Sequence, residues 1–144
     1  MPVLAEALHP LAPGVIHTSP LLRCRLPAEA LGRLLDRPVR VDPRLVELDF
    51  GEWEGLDWDR VPRPLLDRWA ADPRGFAPPG GESGAALIAR VAALAAELRR
   101  AGCAALVVSH GGPLRLLGPM LRGEPPDLLS VPPALGTLQI IEIR

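Results

Sequence analysis

The 144-residue sequence predicts an α/β fold, a three-layer sandwich in which helices cover a mainly parallel central sheet. Short apolar runs at Val15–Thr18 and Ala104–Val108 have the composition of buried strands. Each run is followed by proline or glycine and then by a segment with helical spacing, which is the alternation expected of parallel strands joined by helices. The sequence contains no internal repeats, and its length suits one domain covering residues 1–144.

The first half of the chain predicts two helices and three extended segments. In chain order these are a helix over residues 1–12, a strand at Val15–Thr18, a helix over residues 20–35, a short strand at Val39–Val41 and an edge strand at Arg44–Phe50. The second helix contains Pro27, which removes one backbone hydrogen bond. Its predicted buried face consists of Leu22, Leu26, Ala30 and Leu34.

The second half predicts three helices and two strands. They are a helix at Val61–Ala71, a long helix from about Ser83 to Ala101, a strand at Ala104–Val108, a helix from Pro113 and a last strand at Gly136–Ile143. Pro/Gly-rich loops at residues 72–83 and 124–133 separate them. The long helix is expected to bury leucines and a valine that share one face: Leu87, Val91, Leu94 and Leu98.

Composition excludes several classes of protein. A net charge of -1 gives no general attraction to nucleic acid or to an anionic membrane. No apolar run is long enough to span a bilayer, and residues 1–11 do not resemble a signal peptide. Cys24 and Cys103 are too few for a disulfide framework, so we expect free thiols in the cytoplasm, with Cys103 in the core. Neither a metal site nor a cofactor is expected, because no cluster of potential ligands has the required spacing.

Two junctions between a predicted strand and a predicted helix carry side chains suited to an anion. Ser19 follows the first strand, and Arg23 lies one turn into the next helix. His110 and Gly111 follow the strand at Ala104–Val108. Both turns fall on the same edge of a parallel sheet, where helix N-termini present free N–H groups and partial positive charge. The alternatives are a solvated arginine and a structural turn histidine.

Carboxylates crowd the end of the predicted edge strand. Glu47 and Asp49 would share one face of an extended backbone, with Leu48 and Phe50 on the other. Glu47 is the candidate general acid, because a carboxyl group held near a bound anion favours its protonated form. The alternative is that these residues are solvated charges on a sheet edge.

The glycine-rich loop before the long helix is a further candidate for ligand contact. Pro78–Gly81 leads into Ser83, whose hydroxyl could contact a ligand or simply cap the helix. The sequence leaves both possibilities open.

Four segments occur in the order found in the histidine phosphatase superfamily, which has the phosphoglycerate mutase-like fold. They are Ser19–Arg23, Leu45–Gly55, Pro79–Ser83 and Ser109–Gly112. The chain resembles the small bacterial phosphatases of this superfamily, which include alpha-ribazole phosphatases. The resemblance implies that Arg23 clamps the phosphoryl group, that Glu47 gives a proton to the leaving group, and that His110 is the second histidine of the site. The further expected substrate contacts are Ser19, Gly111 and Ser83.

The same resemblance implies a strand that this sequence does not contain. The family begins with a strand ending in Arg-His-Gly, which carries the nucleophilic histidine and another arginine. No Arg-His-Gly occurs in the 144 residues, so we expect an N-terminally truncated domain that lacks the first strand. That strand lies centrally in the family's sheet, beside the strand that presents His110. Its absence would leave backbone groups unpaired, which predicts an unstable monomer, a rearranged sheet or a homodimer.

Two functions of different class remain open. The first is a phosphomonoester hydrolase of the histidine phosphatase type, acting on a small phosphorylated metabolite and inactive in this chain for lack of the nucleophile. Alpha-ribazole phosphate, and with it cobalamin biosynthesis, is the substrate assignment that the resemblance suggests. The second is a non-catalytic phosphate-binding or interaction module, a pseudoenzyme on the same fold. His17 belongs to the second strand of the family pattern and is not expected to replace the nucleophile.

Overall fold

Three strands and five α-helices make up the regular structure of residues 2–143, which a computed structural model describes. The strands are β1 (Val15–Thr18), β2 (Val39–Val41) and β3 (Ala105–Val108). The helices are α1 (Pro2–Leu8), α2 (Leu22–Leu35), α3 (Arg63–Ala71), α4 (Gly84–Ala101) and α5 (Gly111–Arg122). Short 3-10 helices lie at His9–Leu11, Pro43–Leu45, Gly51–Trp53 and Trp58–Arg60.

The sheet is parallel and has the order β2-β1-β3. Leu106 and Val108 of β3 pack on the core that α1 and α2 contribute to, whereas Ala105 and Val107 pack on the core formed mainly by α4 and α5. Because alternate side chains of a strand point to opposite faces, helices cover both sides of the sheet. The three-layer α/β prediction is confirmed.

The face that α2 buries differs from the predicted one. The leucines expected inside are more than half exposed: Leu22, Leu26 and Leu34. The residues that the helix does bury are Cys24, Ala28, Leu31 and Gly32. Small side chains on this face let the helix lie close to the sheet, and a Cβ added at Gly32 would collide with Val39 of β2. Close approach therefore decided the orientation, and hydrophobicity alone pointed to the wrong face.

Two segments predicted as strands do not form them. Arg44–Phe50 begins in the 3-10 helix at Pro43–Leu45 and continues without regular structure. Its carbonyl groups are bound by the Arg90 side chain instead of by a neighbouring strand. Gly136–Ile143 is also irregular, because it pairs with no strand in the described chain and an extended segment needs partners for its backbone groups.

The two cysteines differ in their burial. Cys103 is exposed, so its assignment to the core is wrong; it follows the C-cap Gly102 and precedes β3. Cys24 is buried.

No helix within residues 2–143 is long and apolar enough to cross a membrane.

His17 is a buried titratable group on β1. Its side chain is 4% exposed, and its Nδ1 has no hydrogen-bond partner in the described chain. Burial lowers the pKa of His17, and Arg40 and Arg44 act in the same direction, although Asp42 and Glu97 oppose the shift. The folded chain therefore holds His17 neutral at a pH where the unfolded chain would already protonate it.

The His17 environment predicts a loss of stability in mild acid. Above the ordinary pKa of 6.5 both states hold a neutral ring, so the residue contributes no pH dependence. As the pH falls through that value, the unfolded state takes up the proton first and the free energy of unfolding decreases. His17→Leu should make this decrease shallower in urea denaturation between about pH 7 and about pH 5. His9→Leu, at an exposed position, is the control and should keep the wild-type slope; equal slopes for all three proteins would contradict the interpretation.

Candidate active site

The two predicted junctions meet at the carboxyl edge of the sheet. Thr18 pairs with Val108 in the parallel register of β1 and β3, and the N–H of Ser19 donates to the Val108 carbonyl over 3.1 Å. The turns that follow β1 and β3 therefore begin side by side. His110 is then the N-cap of α5, and Leu21 is the N-cap of α2.

His110 is 7% exposed and bonded through both ring nitrogens. Its Nε2 lies 2.8 Å from the Ser19 Oγ, and the Nε of Arg23 donates to its Nδ1 over 3.2 Å. A guanidinium can only donate, so Nδ1 is the acceptor and the neutral ring carries its proton on Nε2.

The surroundings of His110 keep its ring neutral. Burial lowers the pKa of His110, and the positive charges of Arg23 and Arg90 lower it further. Glu47 opposes the shift. The imidazole is consequently available as a neutral hydrogen-bonding group near neutral pH, with Nε2 as its donor.

The positive groups at this edge face outward. Arg23 is exposed, and its terminal nitrogens make no hydrogen bond within residues 2–143, so they are free to bind two oxygens of an anion. Gly111 starts α5, where the first N–H groups of a helix are unpaired and the dipole favours negative charge. Pro132 packs over Gly111, since a Cβ there would approach the proline ring within 3.2 Å.

Glu47 lies half-buried at the start of α5. Its carboxylate accepts the Gly112 N–H over 3.2 Å and its neighbour Leu48's N–H over 2.9 Å. A Cβ added at Gly112 would meet the end of the Glu47 side chain, so the carboxylate would have to move to admit one. An irregular backbone, rather than the predicted strand, brings Glu47 to the helix end.

The chain matches the family model for the histidine phosphatase superfamily (branch 1) over residues 2–144. It belongs to this superfamily. The match extends across the Arg23, Glu47 and His110 segments whose geometry is described above.

Relatives within the histidine phosphatase superfamily include a bifunctional protein of Mycobacterium tuberculosis, 40% identical over 117 residues that cover 72% of this chain and 30% of that protein. A solved mycobacterial glucosyl-3-phosphoglycerate phosphatase, described in complex with VO3, superposes with a TM-score of 0.70 at 31% identity, covering 86% of this chain and 65% of its own. The alpha-ribazole phosphatase of Shigella flexneri gives 0.70 at 30% identity, with 84% and 64% covered. The chain thus spans about a third of the first of these proteins and less than two thirds of the two solved ones.

Arg90 of α4 organises the site and was not predicted from the sequence. Its guanidinium donates to the carbonyls of Arg44, Val46 and Glu47 over 2.7, 2.6 and 3.2 Å. It also makes a two-pronged ion pair with Glu82 at 2.7 and 2.9 Å. The available signal was an arginine interrupting the apolar face of a long helix, which suggests a buried partner.

The six predicted site residues do not all come together. Arg23, Ser19 and His110 form one bonded cluster, and Glu47 reaches the helix that begins with Gly111. Ser83 is the N-cap of α4, and its Oγ accepts the Ala86 N–H over 3.2 Å. Within the described residues it makes no hydrogen bond to that cluster, and no group of three or more His, Cys, Asp or Glu side chains could hold a metal ion.

Replacing Arg90 should destabilise the fold as well as release Glu47. Arg90→Met takes this donor from three carbonyls and from the Glu82 carboxylate, which are half-buried. An unsatisfied group costs about 1–3 kcal/mol when it is fully buried, and these four losses add together. We expect urea denaturation to report a loss of at least about 2 kcal/mol. Arg63→Ala removes an exposed ion pair with Asp67 and should cost no more than about 0.5 kcal/mol. Similar small losses for both variants would show that Arg90 is a surface charge.

Proposed function

We propose that this chain supplies the Arg23–His110–Glu47 part of a phosphomonoester hydrolase site of the histidine phosphatase type. The observation that carries the proposal is the cluster in which an exposed guanidinium and a neutral, buried imidazole share one hydrogen bond beside the N-terminus of α5. Such a cluster is suited to an anion with several oxygens. Superfamily membership makes a phosphoryl group the anion expected there.

Each residue has a distinct proposed role. Arg23 binds two phosphoryl oxygens with its terminal nitrogens, and the Gly111 N–H donates to a third. His110 donates from Nε2, exchanging Ser19 for the phosphoryl group. Glu47 is the proposed donor of a proton to the leaving-group oxygen, so that the alcohol departs neutral. The covalent step needs the histidine of an Arg-His-Gly motif, which is the nucleophile in the family.

Residues 1–144 contain no Arg-His-Gly motif, and we keep a second candidate function beside the hydrolase. A chain that binds phosphate without turning it over would act as a phosphate-binding or interaction module. The DNA upstream of the Met1 codon distinguishes the two: an in-frame segment encoding a strand and Arg-His-Gly favours the hydrolase, and a close upstream stop codon favours the module.

The substrate we propose is a small phosphorylated metabolite. The names of the solved relatives specify glucosyl-3-phosphoglycerate and alpha-ribazole phosphatases, and both are phosphomonoester activities. Alpha-ribazole phosphate remains the specific substrate that we propose. It would place the protein in cobalamin biosynthesis and in the cytoplasm.

We also propose that residues 1–144 form one domain and that two copies pair as a homodimer. The reason is that β3 has one edge without a strand in the described chain. Sedimentation equilibrium measures the oligomeric state directly.

Vanadate binding tests the proposed anion site. Isothermal titration of the 144-residue chain with orthovanadate should give a saturable site at one equivalent. Arg23→Ala should weaken it about 10- to 100-fold, because hydrogen bonds to charged groups contribute about 1.5–3 kcal/mol. The matched control is Arg25→Ala, which removes a neighbouring arginine engaged with Glu29 and should leave the affinity unchanged. A vanadate affinity that neither Arg23→Ala nor His110→Gln lowers would refute the site.

Hydrolysis of p-nitrophenyl phosphate tests the assignment of the nucleophile. The 144-residue chain should show no turnover above the rate without protein, even where vanadate binds. Turnover that His17→Ala abolishes would show that His17 acts as the nucleophile and would overturn this assignment.

A further inference from the structure

The thiol of Cys24 lies against the ring of His110. Cys24 is in the first turn of α2, next to Arg23, and is 5% exposed. Its Sγ is 3.5 Å from Nε2 and 3.7 Å from Nδ1 of His110. Nothing in the proposed reaction uses this sulfur, so its position calls for a separate explanation.

The two distances fix where the sulfur sits. A sulfur on the lone pair of one ring nitrogen would lie much farther from the other nitrogen. A sulfur in the ring plane and equally close to both would overlap Cε1, the carbon between them. The thiol of Cys24 therefore lies over the face of the imidazole, and it leaves both in-plane positions to other groups.

Two hydrogen-bond partners occupy those in-plane positions, one that donates and one that can accept. Nδ1 accepts from Arg23, and Nε2 lies within hydrogen-bond distance of Ser19. The torsion that turns a histidine ring is broad, so the plane of the ring is set by its contacts, here two hydrogen bonds at its edge and the sulfur on its face. A polarisable sulfur on the face adds a contact that any rotation of the ring would disturb.

We propose that Cys24 is a positioning residue whose thiol holds the ring plane of His110 and thereby the direction of each ring nitrogen. Its importance for phosphoryl binding rests on the proposed function, whereas the ring geometry does not. Burial raises the pKa of the Cys24 thiol, Glu47 acts in the same direction, and Arg23 opposes the shift. A thiol kept neutral packs on the ring without attracting a proton to it, which agrees with the neutral state of His110.

Nuclear magnetic resonance of the ring nitrogens tests the proposal without any ligand. In 15N-histidine-labelled wild-type chain, with the His110 signals identified by their loss in His110→Gln, we expect one neutral tautomer protonated on Nε2. Cys24→Ala should let the ring turn away from the Arg23 Nε and so give a mixture of tautomers. It should also bring the His110 pKa closer to its ordinary value, since water enters the space left by the sulfur. Cys24→Ser, which keeps a group over the ring, should retain one tautomer. Cys103→Ala, at the exposed cysteine, is the matched control and should behave as wild type.

Two results would overturn the positioning role. One is a folded Cys24→Ala chain with the wild-type tautomer and pKa of His110. The other is a wild-type ring that already exchanges between tautomers, which decides the matter even where Cys24→Ala does not fold.

The vanadate titration separates this inference from the proposed function. Cys24→Ala should weaken vanadate binding about 2- to 10-fold, the range expected for a sulfur–aromatic contact. A wild-type chain that shows one tautomer but binds no vanadate refutes the phosphoryl site and leaves the positioning role intact. A chain that binds vanadate while its His110 tautomer is indifferent to Cys24→Ala refutes the positioning role alone.

Discussion

The parallel pairing of β1 with β3 is the constraint on which the site depends. It places Thr18 opposite Val108, and the Ser19 N–H bonds to the Val108 carbonyl. Residues 91 positions apart in sequence, Ser19 and His110, consequently come within 2.8 Å. Arg23 and Cys24 then reach the same imidazole from the first turn of α2. A shift in this register would move His110 away from the other three groups at once, because the turns after β1 and β3 would no longer lie side by side.

A second constraint is needed because the Glu47 segment is not held by the sheet. Backbone groups without a strand partner need other hydrogen-bond partners. Arg90 donates to three carbonyls within residues 44–47, and Glu82 neutralises the charge of Arg90. The result is a carboxylate fixed at the N-terminus of α5 by a side chain from α4. The site thus joins both helical layers across one sheet edge: α2 contributes Arg23, the proposed clamp, and α4 and α5 position Glu47, the proposed proton donor.

Sequence reasoning identified the elements that local chemistry determines. Apolar runs followed by Ser-Pro and Gly-Gly were sufficient to place β1, β3 and the junctions bearing Ser19 and His110. Features that depend on distant partners were missed. The exposed Leu22, Leu26 and Leu34 show that close packing of Cys24 and Ala28 outweighs leucine content. The predicted strands at residues 44–50 and 136–143 failed because strand formation depends on a neighbour, which no local pattern reveals. The role of Arg90 could not be predicted for the same reason, because the carbonyls that it binds are more than 40 residues away in sequence.

We propose that these converging groups form part of a phosphoryl-binding site. A crystal structure of the 144-residue chain with orthovanadate tests it most directly. We expect one vanadate at the carboxyl edge of the sheet, with oxygens bonded to the terminal nitrogens of Arg23 and to the Gly111 N–H, and with His110 Nε2 turned from Ser19 to the anion. Vanadate bound elsewhere, or an unaltered Arg23–His110–Ser19 cluster beside an empty edge at saturating vanadate, would contradict it.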